Sequence, residues 1–290
     1  MNKIINYIYN YNNRSIPLKI FNYAIAIWLI IHCFTLYFSI KNILFSTNNL
    51  CSLPKSLFPF EIDILLYKIF NYDFFTPAII ALFLLSVSLF FYSNIINKFL
   101  IWFIFINLFS LCTSATDGGD TVFSNIMFVY MFCSNSPKNT KNRFIEEVGF
   151  FLTIIAIQYE IVLIYLQAAF SKIKTDGWSN GVALYYILQQ PEFSNPFISK
   201  FIVQNDCLVV IGTFATIIFQ LLFLPAVFSK SFKLPWLFIG LLFHLAIFVF
   251  MGLFSFSLLM IISYLLFLHN DDIYKLKNLF SFLNKSRNQI

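Results

Sequence analysis

Apolar residues run through this chain in long unbroken blocks. Such blocks lie at residues 19–40, 75–93, 97–114, 121–134, 148–171 and 207–228, and a longer one extends from Pro235 to His269. About 20 consecutive apolar residues are enough to cross a bilayer as a helix. The short alternating strands of a membrane barrel are absent from the pattern. It therefore predicts an all-α fold, a polytopic membrane helix bundle. Polar punctuation separates the blocks. Residues 41–73 form a long loop with Cys51, Pro54 and Pro59. Residues 113–120, TSATDGGD, form a short turn holding Asp117 and Asp120. A basic loop follows with Lys138, Lys141 and Arg143.

The block from Pro235 to His269 is too long for one crossing. At about 1.5 Å per residue a single helix would run roughly 50 Å, against a hydrocarbon core of about 30 Å. A break near Met251-Gly252 makes two short crossings of it and gives about eight spans, the last pair formed by a broken helix. Charge supports the break. With it, the 19 lysines and arginines divide 13 to 6 between the two sides; without it they divide 9 to 10. Cytoplasmic loops carry the excess of Lys and Arg, so both termini are expected in the cytoplasm. Cys51, Cys207, the Asp117–Asp120 turn and the loop after residue 171 then face outward. Two outward cysteines allow a disulfide between Cys51 and Cys207. Cys33, Cys112 and Cys133 read as small buried apolar residues.

Composition agrees. Of 290 residues, 59% are hydrophobic and 11% charged, against about 25% charged in soluble domains. One integral membrane domain, 1–290, is expected in a bacterial inner or plasma membrane. Residues 271–290 form a basic cytoplasmic tail able to lie on the headgroups. The opening MNKIINYIYNYNNRS is polar, with no apolar stretch before Leu18, and does not read as a secretory signal. The net charge of +6 follows from the positive-inside bias and needs no nucleic-acid partner; the bilayer is the partner it implies.

Soluble catalytic motifs are missing, and His32, His244 and His269 lack metal-ligand spacing. Ionisable groups inside a membrane are therefore the candidates: His32, Glu160 and His244, with Lys172, Asp117 and Asp120 at the outer edge. Interhelical hydrogen bonding is the plain alternative for Glu160 and His244. Gln158, Tyr165 and Lys172 recur every seven residues and share a helical face. If that face turns inward, Lys172 reaches a cavity with Trp178 over it, His244 below it and the Asp117–Asp120 turn at its rim. Shelter from water lowers a lysine's pKa, and a nearby carboxylate raises it. A neutral lysine is a general base; a lysine at headgroup level is otherwise an anchor.

The stretch FSKIKTDGWSNGVALYYILQQPEFSNPF, with Ala168-Ala169 just before it, resembles the motif loop of the horizontally transferred transmembrane (HTTM) family, which includes the vitamin K-dependent γ-carboxylases. Lys172, Ile173, Trp178, Gly181 and Tyr185/Tyr186 carry the likeness. A second block, FHLAIFVFMGLFSFSLLM, resembles the family's histidine-to-Gly-Phe-Ser segment through His244, Gly252, Phe254 and Ser255. The resemblance implies Lys172 as the base that deprotonates reduced vitamin K, with menaquinone as a bacterial equivalent, in carboxylase- or epoxidase-like chemistry. The chain departs from the carboxylases in having Ser171 where they have a second lysine and one extra residue before Trp178. The Asp117–Asp120 turn is similar to the SdpB-like branch. That branch implies maturation of a secreted antimicrobial peptide from its precursor, together with a small partner protein. A non-enzymatic peptide transporter or immunity component is the third reading.

Overall fold

The computed structural model describes residues 2–40, 72–111, 117–133, 143–190, 194 and 196–287. The expected loop 41–73, Cys51, Cys112, Lys138 and Lys141 lie outside them, apart from residues 72 and 73. Helix α1 is Asn2–Tyr11 and α2 is Ser15–Thr35, which continues as a π-helical turn, Leu36–Ile40. Next come α3 (Tyr72–Ser88), α4 (Ile95–Leu111) and α5 (Gly118–Tyr130). Helix α6 is the longest described, Arg143–Ile173. Three short helices follow: α7 (Asp176–Ser179), α8 (Ala183–Ile187) and α9 (Pro196–Val203). Then come α10 (Asp206–Val227), α11 (Lys233–Met251) and α12 (Phe254–Ser263), which tightens into a 3₁₀ turn, Tyr264–Phe267. Helix α13 is Asn270–Arg287. The described residues contain helices and turns with no strand, so the chain is all-α.

Four described helices are long and apolar enough to cross a membrane: Ser15–Phe38, Phe144–Ile173, Asp206–Val227 and Lys233–Met251. A fifth span results if Phe254–Phe267 and Asn270–Asn278 count as one broken helix. Phe75–Ser88 and Ile95–Phe109 are apolar but shorter. Four to five candidate spans thus stand against the eight expected. Two of the expected blocks turn earlier than their hydropathy: α3 stops at Ser88 and α5 at Tyr130. Ser88 Oγ donates to the Leu85 carbonyl and accepts from the Asn97 amide, which also donates to the Tyr92 carbonyl. These bonds fold residues 89–94 into a turn although Leu89, Phe90, Phe91 and Tyr92 would extend an apolar run.

The contacts group into two compact units, residues 1–156 with 268–290 and residues 157–267. In the first, α2 packs on α3, α3 on α4, α4 on α5 and α13 on α2. Its centre is aromatic. Phe21 meets Tyr130 at 4.9 Å, Trp28 stacks on Phe123 at 4.9 Å, and Phe105 meets Phe123 at 4.4 Å. Ring pairs of this kind add about 0.5–1.5 kcal/mol beyond their burial.

Two cations expected in cytoplasmic loops are buried in this unit instead. Arg14 is 2% exposed. It donates to the Tyr11 and Leu268 carbonyls and lies 2.9 Å from His269 Nε2. Lys98 is fully enclosed, donates to the Cys133 carbonyl at 2.7 Å and sits 4.1 Å over the Tyr130 ring. The Cys133 carbonyl, just past the end of α5, and a ring face compensate the ammonium. Cys33 and Cys133 are buried, as their reading as apolar residues predicts.

In the second unit α11 packs on α10 and α12, and α8 and α9 on α10. The break near residue 251 is present: α11 ends at Met251, and Gly252 takes φ +71° before α12 begins. A left-handed residue past a helix end is a glycine position, because a Cβ there is strained.

Candidate functional site

A buried polar cluster lies in the second unit. The stripe on α6 does turn inward: Gln158 and Tyr165 are each 2% exposed. Gln158 donates to the Leu266 carbonyl at 2.7 Å. The Tyr165 hydroxyl sits between His244 Nε2 of α11, at 2.7 Å, and the Tyr264 hydroxyl of the 3₁₀ turn, at 2.5 Å. His244 is 1% exposed. The rings of Phe223 and Phe219 close over Tyr165 at 4.1 and 5.6 Å. Gly240, one turn before His244, lets Tyr264 reach the α11 backbone, since a Cβ at 240 would meet the Tyr264 hydroxyl at 2.5 Å.

The bonding inventory assigns a direction to this chain of hydroxyls. Let Tyr264 donate to Tyr165 and Tyr165 donate to His244 Nε2. One group is then left over, the buried His244 Nδ1–H, which has no partner. The opposite direction strands two groups, the Tyr264 proton and the Nδ1 lone pair. A buried unmet polar group costs about 1–3 kcal/mol, so the first direction is favoured. It makes His244 a neutral imidazole with its proton on Nδ1.

Lys172 lies two turns beyond Tyr165 on the same helix and is half-buried. Its ammonium lies 5.0 Å from the Trp178 ring, and the Ala168 carbonyl is 3.5 Å away. Trp178, on the short helix α7, therefore covers Lys172. A ring face favours the charged ammonium, so this contact opposes the desolvation that would neutralise it. No hydrogen bond joins Lys172 to the Tyr165–His244 chain among the described residues. Gly181 has φ +78°, and a Cβ there would lie 2.9 Å from the Phe214 ring, so both backbone and space require glycine. Tyr185 and Tyr186 are exposed and meet edge to face at 5.3 Å.

In the first unit, Asp117 caps α5. Its Oδ1 accepts from the Gly119 and Asp120 amides, and Asp120 Oδ2 accepts from the Asp117 amide. This reciprocal capping box is why the turn reads Asp-Gly-Gly-Asp. Asp120 Oδ1 lies 3.1 Å from His32 Nε2, at ion-pair distance but off hydrogen-bond alignment. His32 stacks on Trp28 at 4.8 Å. Asp120 thus has His32 as a close neighbour in its own unit.

Cys207 is an exposed free thiol; its expected partner Cys51 lies outside the described residues. No group of three or more metal-ligating side chains occurs among the described residues. Sequence reasoning missed Tyr264 and Gly240. A lone tyrosine in an apolar run carries no periodic signal, and a helical glycine identifies its neighbour only after folding. The pairing of His32 with Asp120 was likewise not read, because two helices far apart in sequence supply it.

No family model matches the chain, and no solved structure matches it. It is similar to sporulation-delaying protein SdpB of Bacillus subtilis (strain 168), 28% identical over 184 residues, covering 58% of this chain and 56% of that protein. It is also similar to the uncharacterized protein YitO of the same organism, 29% identical over 125 residues, covering 41% of this chain and 40% of that protein. The chain spans about half the length of the curated relatives it matches.

Proposed function

We propose that this chain is an SdpB-like member of the HTTM superfamily that acts in the cell membrane in the maturation of a secreted antimicrobial peptide. The observation that carries the reading is the 184-residue similarity to SdpB. An all-helical chain with several apolar helices agrees with it. A peptide precursor and a small partner protein are the partners it implies. Deleting the gene in its host and measuring secreted peptides by mass spectrometry tests it. One processed peptide should disappear and return with the plasmid-borne gene; an unchanged peptide profile would refute the role.

A second reading is quinone-linked carboxylase-like chemistry, with Lys172 as base and reduced vitamin K or menaquinone as cofactor. What favours it is the half-buried Lys172 under Trp178, on the helix that also carries the Tyr165–His244 bond. In this reading Trp178 moves aside as the quinol enters, which removes the stabilisation of the ammonium and lets desolvation free the amine. Quinone extracted from the detergent-purified chain and identified by mass tests it. No quinone above the level of a control membrane protein would count against it.

A further inference from the structure

A cavity of about 380 Å³ opens in the first unit between α2, the turn after α3 and the end of α5. Two of its polar lining residues, Asn22 and Lys19, offer donors. Asn22 Oδ1 is already occupied, accepting from the Tyr130 hydroxyl at 2.7 Å and from Ser93 Oγ at 3.2 Å. That leaves the Asn22 amide N–H groups with no protein acceptor among the described residues. Lys19 is exposed at the mouth, its ammonium 5.8 Å from the Tyr23 ring, and no carboxylate pairs with it among the described residues. The enclosed Lys98 touches two lining residues, Cys133 and Tyr130, but does not itself line the cavity. Among the described residues no acidic side chain lines the cavity, and Leu18, Leu89, Phe90 and Phe91 give it an apolar wall. Tyr23 and Phe90 form a ring pair at 5.4 Å beside it.

An ammonium at the mouth and a free amide beside an apolar wall select an anion that carries hydrocarbon. In the eight-span arrangement that the cation count suggests, the starts of α2 and α4 lie on the cytoplasmic side, where the leaflet is anionic. The geometry points to a binding site for the phosphate of an anionic phospholipid of the cytoplasmic leaflet. Asn22 and Lys19 hold the phosphate, and an acyl chain lies on Leu18 and Leu89. The cavity volume falls in the range of ligand sites.

The full chain, purified in detergent and stripped of lipid, is incubated with phosphatidylglycerol or phosphatidylcholine of the same acyl chains, and bound lipid is counted by native mass spectrometry. Phosphatidylglycerol should bind one per chain and in preference. Lys19→Gln should lower its retention about fivefold, as expected for one lysine beside an anionic headgroup. Lys19→Arg should retain it, and Lys174→Gln, an exposed lysine of the other unit, should leave it unchanged. Equal binding of both lipids, or full retention by Lys19→Gln, would overturn the site. Displacement by glycerol 1-phosphate at matched concentration would overturn the lipid in favour of a soluble phosphate compound.

Discussion

At the residue scale, two glycines that look alike in sequence do different work. At Gly252 nothing lies within 4 Å of an added Cβ, so Gly252→Ala meets only backbone strain from φ +71°, about 1 kcal/mol. At Gly240 the helix is regular and the obstacle is Tyr264. Gly240→Ala should cost about 1–3 kcal/mol by overpacking and should separate Tyr264 from Tyr165. Thermal unfolding in detergent should rank Gly240→Ala below Gly252→Ala. The hydroxyl chain has its own order. Tyr165→Phe strands both His244 Nε2 and the Tyr264 hydroxyl, whereas Tyr264→Phe removes only the terminal donor. Tyr165→Phe should therefore be the less stable variant, by about 1 kcal/mol; equal melting temperatures would contradict the central place of Tyr165 between His244 and Tyr264.

At the element scale, helices announce themselves better than their ends do. The break at Gly252 was readable because length and charge both demanded it. The Asp117–Asp120 turn was readable as a turn, but its use as a reciprocal cap was not, since a cap is a set of bonds rather than a composition. Asp117→Ala should cost about 1 kcal/mol and speed amide hydrogen exchange at residues 119 and 120; Asp117→Ser should keep most of the protection. The ends of α3 and α5 were overrun because Leu89–Tyr92 and Met131–Cys133 are apolar, while their turns are set by Ser88, Asn97 and Lys98 from outside the run. Those are specific polar bonds, and a hydropathy pattern does not contain them.

At the scale of the whole molecule, charge and hydropathy specified a helical membrane protein, and four to five of its spans are visible as long apolar helices. The positive-inside count treats every lysine and arginine as a loop residue and says nothing of exposure. Arg14 and Lys98 count toward the cytoplasmic excess, yet both are buried by carbonyls and rings. The eight-span arrangement with cytoplasmic termini remains our proposal. A cysteine introduced at residue 138 should resist an impermeant maleimide in intact cells and react after permeabilisation; labelling from outside would reject the arrangement.

We propose that the chain matures a secreted peptide, and the second reading adds that Lys172 works as a base rather than an anchor. The most direct measurement is the amount of mature peptide secreted by cells carrying the wild type, Lys172→Ala or Lys172→Arg at matched membrane levels. Arginine keeps the charge and the contact with Trp178 but does not deprotonate at any accessible pH. The account predicts that both variants lose the mature peptide at least about tenfold, within the usual contribution of a positioned acid or base. Wild-type peptide levels from Lys172→Arg would contradict it and leave Lys172 as an interfacial anchor.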